Sequence, residues 1–277
     1  MEQTKLSISI TLKNSFALYK KNFGTMLKFA LVSFLCGLPM MASNYLTGLE
    51  PGMPRSIGWL LMLAAFVLMF TVGVKNSLGA QFFLADMMTN SEGEKPTMKH
   101  AYAKTKGKVS ILFGNIILLG MIGSACLVPF FVLFYFLPAY TELDRDLAAT
   151  ISGFVMTPPF MLLYPWSLLL TPVVAFEEKD SSKFSLVTRM IKGNYLRIVV
   201  VAFIGLGISA LTGNFLRLFD IHLLIRSGIS SVITLFTFGF NSAAAFVTYQ
   251  QLKPKPQADT PPAEPSAEPI PENAPTA

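Results

Sequence analysis

The chain is poor in charge and in the residues that build most active sites. Asp, Glu, Lys and Arg make up 14% of its 277 residues, whereas a soluble domain carries about 25%. This shortage excludes an ordinary water-exposed surface. The two cysteines lack CxxC spacing and give no zinc or redox signature. Both Cys36 and Cys126 lie in apolar runs, where we expect them to behave as small hydrophobes.

Recognisable catalytic motifs are also missing. The sequence contains no P-loop, no HExxH zinc site and no GxSxG nucleophile elbow. The pair Gly205 and Gly207 lies inside an apolar run, away from the strand–turn–helix context that a nucleotide site needs. We therefore predict no enzymatic activity, no metal and no cofactor.

What the sequence does have is a series of apolar runs. About 20 apolar residues cross the roughly 30 Å of hydrocarbon in a bilayer. The polar, basic start of the chain is unlike a signal peptide, so we expect the first run to remain as a span. We predict an all-α, polytopic membrane bundle over residues 1–252 with six transmembrane helices. Their approximate bounds are 25–43, 57–83, 110–138, 150–176, 196–214 and 227–249.

The basic residues indicate how these spans are threaded. Of 22 Lys and Arg, 17 lie at the amino terminus, between spans two and three, between spans four and five, or after span six. Excess Lys and Arg mark the cytoplasmic side of a bacterial inner membrane, so both termini are predicted to be cytoplasmic. His100 and His222 then lie on opposite sides and cannot share a metal. The net charge of +6 is spread beside the membrane, which favours anionic lipid and not nucleic acid as partner.

A basic amphipathic stretch precedes each odd-numbered span, and the three stretches share an 86-residue step. Lys20, Lys106 and Lys192 follow this step, and so do Gly37, Gly123 and Ser209. Helices of this kind lie in the headgroup region, so we predict three basic interfacial helices. The alternative to an internal duplication is that any transmembrane hairpin with basic residues on its cytoplasmic side shows this pattern. The candidate anionic-lipid contacts are Lys20, Lys21, Lys106, Lys108, Arg189 and Lys192.

Local signals mark where two of these stretches begin and where one ends. Thr97 follows Pro96 and is expected to cap the second helix, and one of the three residues 180–182 should cap the third. Gly193 and Asn194 predict a break before span five. The adjacent Glu177 and Glu178 resemble an acid–base pair, but helix neighbours do not face each other. We read them as a solvated turn that pairs with Lys179 or Arg189.

Polar residues at membrane depth are candidates for function. Lys75 and Asn76 lie near the inner end of span two, where Lys75 either extends to the interface or contacts an anionic headgroup. Asn115 and Asn241 lie within spans three and six. They are expected to hydrogen-bond between helices, or alternatively to line a substrate pathway.

Span four is rich in proline. Each proline removes a backbone donor, and at membrane depth the freed carbonyls need partners or a wet cavity. A broken helix of this kind can form a transporter binding site, whereas the plainer interpretation is a kinked packing helix. The candidate residues here are Pro158, Pro159, Tyr164, Pro165, Trp166 and Pro172. Residues 253–277 alternate Pro with Ala and Glu, which predicts a disordered cytoplasmic tail that tethers or docks on a protein partner.

Three segments carry a family resemblance: Leu12–Phe23, Gly93–Lys104 and Thr171–Arg197. Together they resemble bacterial six-span membrane proteins of the YciC type. They are also similar to the membrane-anchor half of some glycerophosphodiester phosphodiesterases. We expect no phosphodiesterase activity, because the sequence contains no such catalytic domain. The resemblance implies an integral membrane protein of undefined biochemical role.

Three classes of function remain open. The first is a non-catalytic membrane protein that organises lipid or partner proteins. The second is a transporter or channel-like carrier of a small solute or lipid, built around span four, and the third is a membrane enzyme. A transporter requires a polar cavity near the midplane, whereas an organising protein requires a packed apolar bundle with an exposed interaction surface.

Overall fold

The prediction of an all-helical fold is confirmed. The computed structural model describes residues 5–48, 55–89, 96–140, 145–177, 182–207, 211–212, 215–216, 219 and 223–253. Every regular element in this described part is helical. The α-helices are α1 (Ile8–Lys21), α2 (Phe23–Gly48), α3 (Arg55–Leu68), α4 (Val74–Thr89), α5 (Met98–Ala103), α6 (Val109–Tyr140), α7 (Arg145–Phe176), α8 (Lys183–Ile191), α9 (Tyr195–Ala202) and α10 (Leu223–Leu252). The predicted tail lies outside the described residues, apart from Lys253.

Two π-helical segments interrupt the α-helical geometry, and the sequence analysis did not anticipate either. Met69–Gly73 joins α3 to α4 without a gap, so that a single helix runs from residue 55 to residue 89. Phe203–Gly207 continues α9 in the same way. A π-helical turn inserts one extra residue per turn and shifts every side chain that follows it to another face.

Some of these helices are long and apolar enough to cross a membrane. Ile57–Thr89 and Gly228–Leu252 meet that requirement by length and composition. Ile8–Lys21 and Phe23–Pro39 meet it as a pair, although they are bent by 89° relative to each other. The described part thus supports a membrane protein, whereas the full number of crossings remains a prediction.

The outward faces of these helices are apolar. On α3, the side chains of Trp59, Leu60 and Leu63 are more than 60% exposed. Further large hydrophobic residues are exposed on α2, α6 and α10 and along the helix from residue 55 to residue 89. They include Leu31, Leu35, Leu38, Ile57, Phe66, Val67, Ile117, Leu118, Met121, Ile225, Ile229, Val232 and Phe236. So large an apolar surface on a soluble protein marks an interaction site. On helices long enough to span a bilayer, such an apolar surface is suited to contact with the hydrocarbon chains of lipid.

The 86-residue step of the sequence recurs in the backbone. The helices α2, α6 and α9 begin at Phe23, Val109 and Tyr195, which are 86 residues apart each time. The turns before the second and third of these helices contain Gly107 and Gly193, with φ of 78° and 82°. Only glycine adopts this left-handed conformation without a steric penalty. In the second and third repeats, the correspondence therefore extends to the turn that leads into the next helix.

The contacts between helices also follow a threefold cycle. Three hairpins form, from α2 with α3 and α4, from α6 with α7, and from α9 with α10. The last helix of each hairpin contacts the first helix of the next hairpin: α4 contacts α6, and α7 contacts α9. The contact between α10 and α2 closes the cycle. The helices α4, α7 and α10 contact one another and form the centre, so we call them the inner helices.

The ring of Phe176, at the end of α7, lies where the inner helices meet. Its centroid lies 5.6 Å from that of Phe82 on α4, and 5.8 Å and 5.4 Å from those of Phe246 and Tyr249 on α10. These are favourable distances for aromatic packing. Each inner helix thus contributes at least one ring to the same cluster.

The three predicted basic helices exist as α1, α5 and α8, and each packs against the end of an inner helix. We call them the junction helices. α5 follows α4 and packs on it, α8 follows α7 and packs on it, and α1 packs on α10. The predicted caps are confirmed, since Thr97 accepts a hydrogen bond from the backbone N–H of His100 and Ser182 accepts one from that of Ser185. α5 is only six residues long, shorter than the sequence suggested.

The helix of span four is continuous from Arg145 to Phe176, so of the two interpretations a packing helix fits the backbone better than a broken one. Pro165 and Pro172 are buried within it, and the side chains of Pro158 and Pro159 lie outside the described residues. The hydroxyl of Tyr195 donates to the carbonyl of Leu162, three residues before Pro165, at 3.0 Å. This contact supplies a polar partner to a carbonyl beside the proline, which helps the helix to remain intact.

Close contact between α4 and α5 predicts a strong effect of a small substitution. A Cβ atom at Gly79 would lie 2.8 Å from the ring of Tyr102 and 3.2 Å from that of Phe29. We expect Gly79→Ala to destabilise the protein by about 1–3 kcal/mol, because a packed ring must move. Gly114→Ala is the matched control, since a Cβ atom there meets nothing within 4 Å. Thermal unfolding in detergent measures both, and equal stability of the two variants would contradict this packing.

Candidate functional site

Polar contacts concentrate where junction helices meet inner helices, and the first such junction is built around Asn76. This side chain on α4 is fully buried. Its Nδ2 donates to the carbonyl of Phe29 and to Oγ of Ser33 on α2, both at 2.7 Å. Its Oδ1 accepts from the hydroxyl of Tyr102 on α5 at 2.6 Å. Burial raises the pKa of Tyr102, so its hydroxyl stays protonated and available as a donor.

Lys75, next to Asn76, is exposed, and its Nζ lies 5.7 Å from the centroid of the Tyr102 ring. This distance suits a cation–π contact. Further along α4, the buried carboxylate of Asp86 pairs with Nζ of Lys104 at 2.6 Å and lies 3.9 Å from Nε2 of His100. The same junction therefore holds one acidic group surrounded by several basic ones.

The second junction contains a basic pocket of about 220 Å³. It lies between the start of α6, the end of α7 and the start of α8. Its lining residues are Lys106, Gly107, Lys108, Ile111, Val174, Glu177 and Lys183. Lys106 is exposed, Lys108 is half-buried, and Lys183 is only 4% exposed at the first position of α8.

Three contacts hold Lys108 and Glu177 of the basic pocket. Nζ of Lys108 donates to the carbonyl of Ala175 in the last turn of α7, where a cation suits the helix dipole. Nζ of Lys108 also lies 5.6 Å from the centroid of the Phe82 ring. Oε1 of Glu177 accepts from the hydroxyl of Tyr249 on α10 at 2.6 Å. This partner is a tyrosine from another hairpin, whereas Glu178 and Lys179 of the predicted turn lie outside the described residues.

The electrostatics of the basic pocket follow from burial and from like charge. Desolvation lowers the pKa of Lys108, the nearby Lys183 lowers it further, and Glu177 opposes both effects. The largest of these effects is the loss of hydration around the ammonium group, which disfavours its charged form. Among the described residues, the lining of the basic pocket includes three lysines and one carboxylate.

At the third junction, the start of the chain occupies the space between α9 and α10. The backbone N–H of Leu6 donates to Oδ1 of Asn194 at 2.8 Å, and Nη1 of Arg197 donates to the carbonyl of Leu6 at 2.9 Å. The N–H of Ser7 lies 3.4 Å from Oε1 of Gln251 near the end of α10. Leu6 is 1% exposed, so these contacts bury the backbone ahead of α1.

The other predicted polar residues have less connected surroundings. Nδ2 of Asn115 donates to the carbonyl of Ile111 in its own helix at 2.8 Å, not to another helix. Oδ1 of Asn241 is buried and has no hydrogen-bond partner among the described residues. The amide of Asn241 packs on Gly205 in the second π-helical segment, where a Cβ atom would overlap its Oδ1. An unpaired polar atom beside a π-helical turn is a strained arrangement.

Within the described part of span four, Pro165 and Pro172 are buried, and the aromatic residues pack on their neighbours. Tyr164 and Trp166 pack against the main apolar core, and Nε1 of Trp166 donates to the hydroxyl of Thr188 on α8 at 3.1 Å. Five of the six candidate lipid contacts are exposed, and the sixth, Lys108, lines the basic pocket. The five exposed residues are Lys20, Lys21, Lys106, Arg189 and Lys192.

Sequence reasoning missed three contributors to these junctions. Lys183 and Tyr249 were not singled out, and Asp86 was not considered at all. Local patterns contain no signal that joins Glu177 to Tyr249, since these residues are distant in sequence. For Asp86 a signal existed, because a carboxylate in the last turns of an apolar run requires a partner.

The described residues contain no group of three or more His, Cys, Asp or Glu side chains that could hold a metal ion. No family model, curated protein or solved structure matches the chain. The resemblance to the YciC type therefore stays a prediction, and the case for function rests on the geometry of the junctions.

The Asn76 junction gives a direct test. Tyr102→Phe removes the hydroxyl and leaves a buried amide oxygen without its donor, which costs about 1–3 kcal/mol. We expect a matching loss of stability in thermal or chemical unfolding. Tyr19→Phe is the control, because Tyr19 packs beside Gly239 in a similar way and its hydroxyl bonds to no described residue. If both variants unfold like the wild type, the Asn76 contact does not stabilise the fold.

Proposed function

We propose that this chain is a six-span, non-catalytic protein of the bacterial inner membrane that organises anionic lipid at its cytoplasmic face. The observation that carries the proposal is the repeated junction. At each one, a basic helix packs on the end of an inner helix, directly before a long apolar helix begins. Lysine and arginine side chains are thereby held at one end of an apolar bundle.

The charges at the junctions support lipid as the partner. The exposed Lys20, Lys21 and Lys192 lie within three residues of the starts of α2 and α9, at the turns that lead into apolar helices. A basic side chain near an anionic leaflet contributes on the order of 1 kcal/mol. Several such residues on one face are together enough to select anionic lipid over neutral lipid.

The position of the basic pocket agrees with this proposal. It lies at the ends of α6, α7 and α8, among residues that cap and terminate helices. The Pro-rich tail is proposed as a tether that docks a protein partner on the same face.

Six spans with both ends inside make a labelling prediction. Single cysteines are introduced into a protein in which both native cysteines are replaced by serine. A membrane-impermeant maleimide should label Gly52→Cys and Thr141→Cys in intact spheroplasts. It should label Ser91→Cys, Ser181→Cys and Ala263→Cys only after lysis. Labelling of any of these last three in intact cells would exclude this topology.

The lipid preference is tested by removing the charge from all five exposed candidate contacts. We expect replacement of these residues by Gln to reduce the preference for phosphatidylglycerol over phosphatidylcholine by at least tenfold, given about 1 kcal/mol per charge. The measurement is the lipid retained by the protein from mixed nanodiscs, counted by mass spectrometry. The five residues are Lys20, Lys21, Lys106, Arg189 and Lys192.

The control exchanges Lys for Arg and Arg for Lys at the same five positions, which keeps the charge and changes the side chains. This variant should retain the wild-type preference, and added salt should weaken the preference in both proteins. A wild-type protein that shows no preference for anionic lipid would exclude the proposed function.

A further inference from the structure

The chain starts with an extended segment that the last hairpin holds by its backbone. The N–H of Leu6 donates to Oδ1 of Asn194 at 2.8 Å, and its carbonyl accepts from Nη1 of Arg197 at 2.9 Å. The N–H of Ser7 donates to Oε1 of Gln251 at 3.4 Å. Asn194 is buried just before α9, Arg197 lies on α9 and Gln251 lies on α10. Three side chains therefore bind three backbone groups of two consecutive residues.

One apolar side chain anchors this segment. The side chain of Leu6 is 1% exposed and belongs to the main apolar core. Peptide sites at sheet edges combine main-chain hydrogen bonds, which supply affinity, with side-chain pockets, which supply specificity. The same division of roles holds here, although side chains replace the sheet edge. The geometry is that of a site for an extended peptide, and its occupant is the start of the chain itself.

The extended segment and α1 together form what we call the N-terminal arm, residues 5–21, and Leu6 is its one fully buried apolar residue. The other buried residues of the arm are Thr11 and Ser15. Their hydroxyls donate to the carbonyls of Ser7 and Thr11 in the arm itself and not to α10. The remaining apolar residues of α1 are half-buried or exposed. Segments with few buried apolar contacts open locally before the whole fold does.

The bend between α1 and α2 supplies a hinge for the arm. The two helices are inclined by 89°, and the single residue Asn22 separates them. α1 packs mainly on α10 and to a lesser extent on α9, and it touches α2 only slightly. A few residues at the end of an element are enough to absorb the backbone change of a hinge. Rotation at Asn22 would therefore withdraw the arm without unwinding α2.

We propose that Asn194, Arg197 and Gln251 form a binding site for an extended peptide with an apolar side chain, and that the N-terminal arm is its releasable ligand. The effective concentration of a tethered ligand is on the order of millimolar. The arm therefore fills the site and competes with peptide supplied in trans. This inference depends on the contacts of the arm and not on the proposed lipid-organising function.

Release of the arm is measured by cysteine labelling of the full-length protein in detergent, with both native cysteines replaced by serine. The reporter is Ser15→Cys, a nearly isosteric change at a fully buried side chain. Arg197→Met removes the donor to the Leu6 carbonyl and keeps an apolar stem. We expect a water-soluble maleimide to label the reporter about tenfold faster in this variant, as for the loss of one hydrogen bond from a charged group.

Two controls separate release of the arm from loss of the whole fold. Thr105→Cys reports on the turn after α5, where Thr105 is 1% exposed, and its labelling should not change with Arg197→Met. Arg189→Met removes an exposed charge from α8 and should affect neither reporter. Equal acceleration of both reporters by Arg197→Met, or no acceleration at Ser15→Cys, would overturn the releasable arm.

A second test supplies the ligand in trans. Leu6→Asp places a charge at the buried position and should release the arm of the full-length protein. A fluorescent peptide of residues 1–21 should then bind this variant saturably and at least tenfold more tightly than the wild type, whose tethered arm fills the site. The same peptide carrying Leu6→Asp is the control and should bind neither protein.

The outcomes of the second test decide between a site and a structural contact. Absence of binding to the variant, equal binding to variant and wild type, or equal binding of the two peptides would overturn the site. Fast labelling of Thr105→Cys in the Leu6→Asp protein would also overturn it, because the whole fold would then require the arm. None of these measurements involves lipid, so their failure leaves the lipid-organising function as it stands.

Discussion

Where α4 meets α5, the amide of Asn76 is buried between two helices and bonded on both of its polar atoms, to Phe29, Ser33 and Tyr102. In an apolar bundle a polar group without a partner is costly, so its partners must be in place before the amide can be buried. This requirement fixes the junction helix α5 relative to both α2 and α4. The third junction follows the same rule, since the buried Oδ1 of Asn194 accepts from the backbone N–H of Leu6. At the second junction, Trp166 donates to Thr188 in an exposed contact between α7 and α8.

The threefold cycle of helices depends on these junctions. A short helix that packs back on an inner helix must turn sharply before the next long helix begins, and Gly107 and Gly193 supply that turn in two of the three cases. In the first case, Asn22 occupies the bend, and its Nδ2 donates to the carbonyl of Leu18 at 2.9 Å. The turns place the basic residues at the same end of every hairpin. The uneven distribution of basic residues and the sharp turns of the backbone thus both follow from the packing of the junction helices on the inner helices.

The sequence was sufficient for the helical class, for two helix caps and for the break at Gly193 and Asn194 before span five. These features depend on local chemistry: apolar runs, a Thr97 side chain that accepts from a nearby N–H, and glycine where φ is positive. The π-helical segments were beyond such reasoning, because residues 69–73 and 203–207 look like ordinary apolar helix. The prolines of span four allowed either a broken or a kinked packing helix, and the choice depends on the tertiary surroundings; the structure has a continuous helix there.

The basic pocket could be anticipated only in part for the same reason. Lys106 and Lys108 were identifiable as basic residues near a membrane, but no local signal placed Lys183 opposite them. Their approach depends on how α8 packs on α7, which is a tertiary property. A candidate site formed by segments that are distant in sequence can be identified only once the fold is known. A candidate site within one segment can be identified from the sequence.

Glu177 connects the centre of the bundle to the rim where the basic pocket lies. Its neighbour Phe176 packs on the ring of Tyr249, while Glu177 accepts from the hydroxyl of the same tyrosine. Two adjacent residues at the end of α7 thus hold one side chain of α10 by its ring and by its oxygen. Because this clamp positions the carboxylate wall of the pocket, the pocket depends on α10 although no residue of that helix lines it. The basic pocket is therefore a property of the closed threefold bundle and not of the α6–α7 hairpin alone.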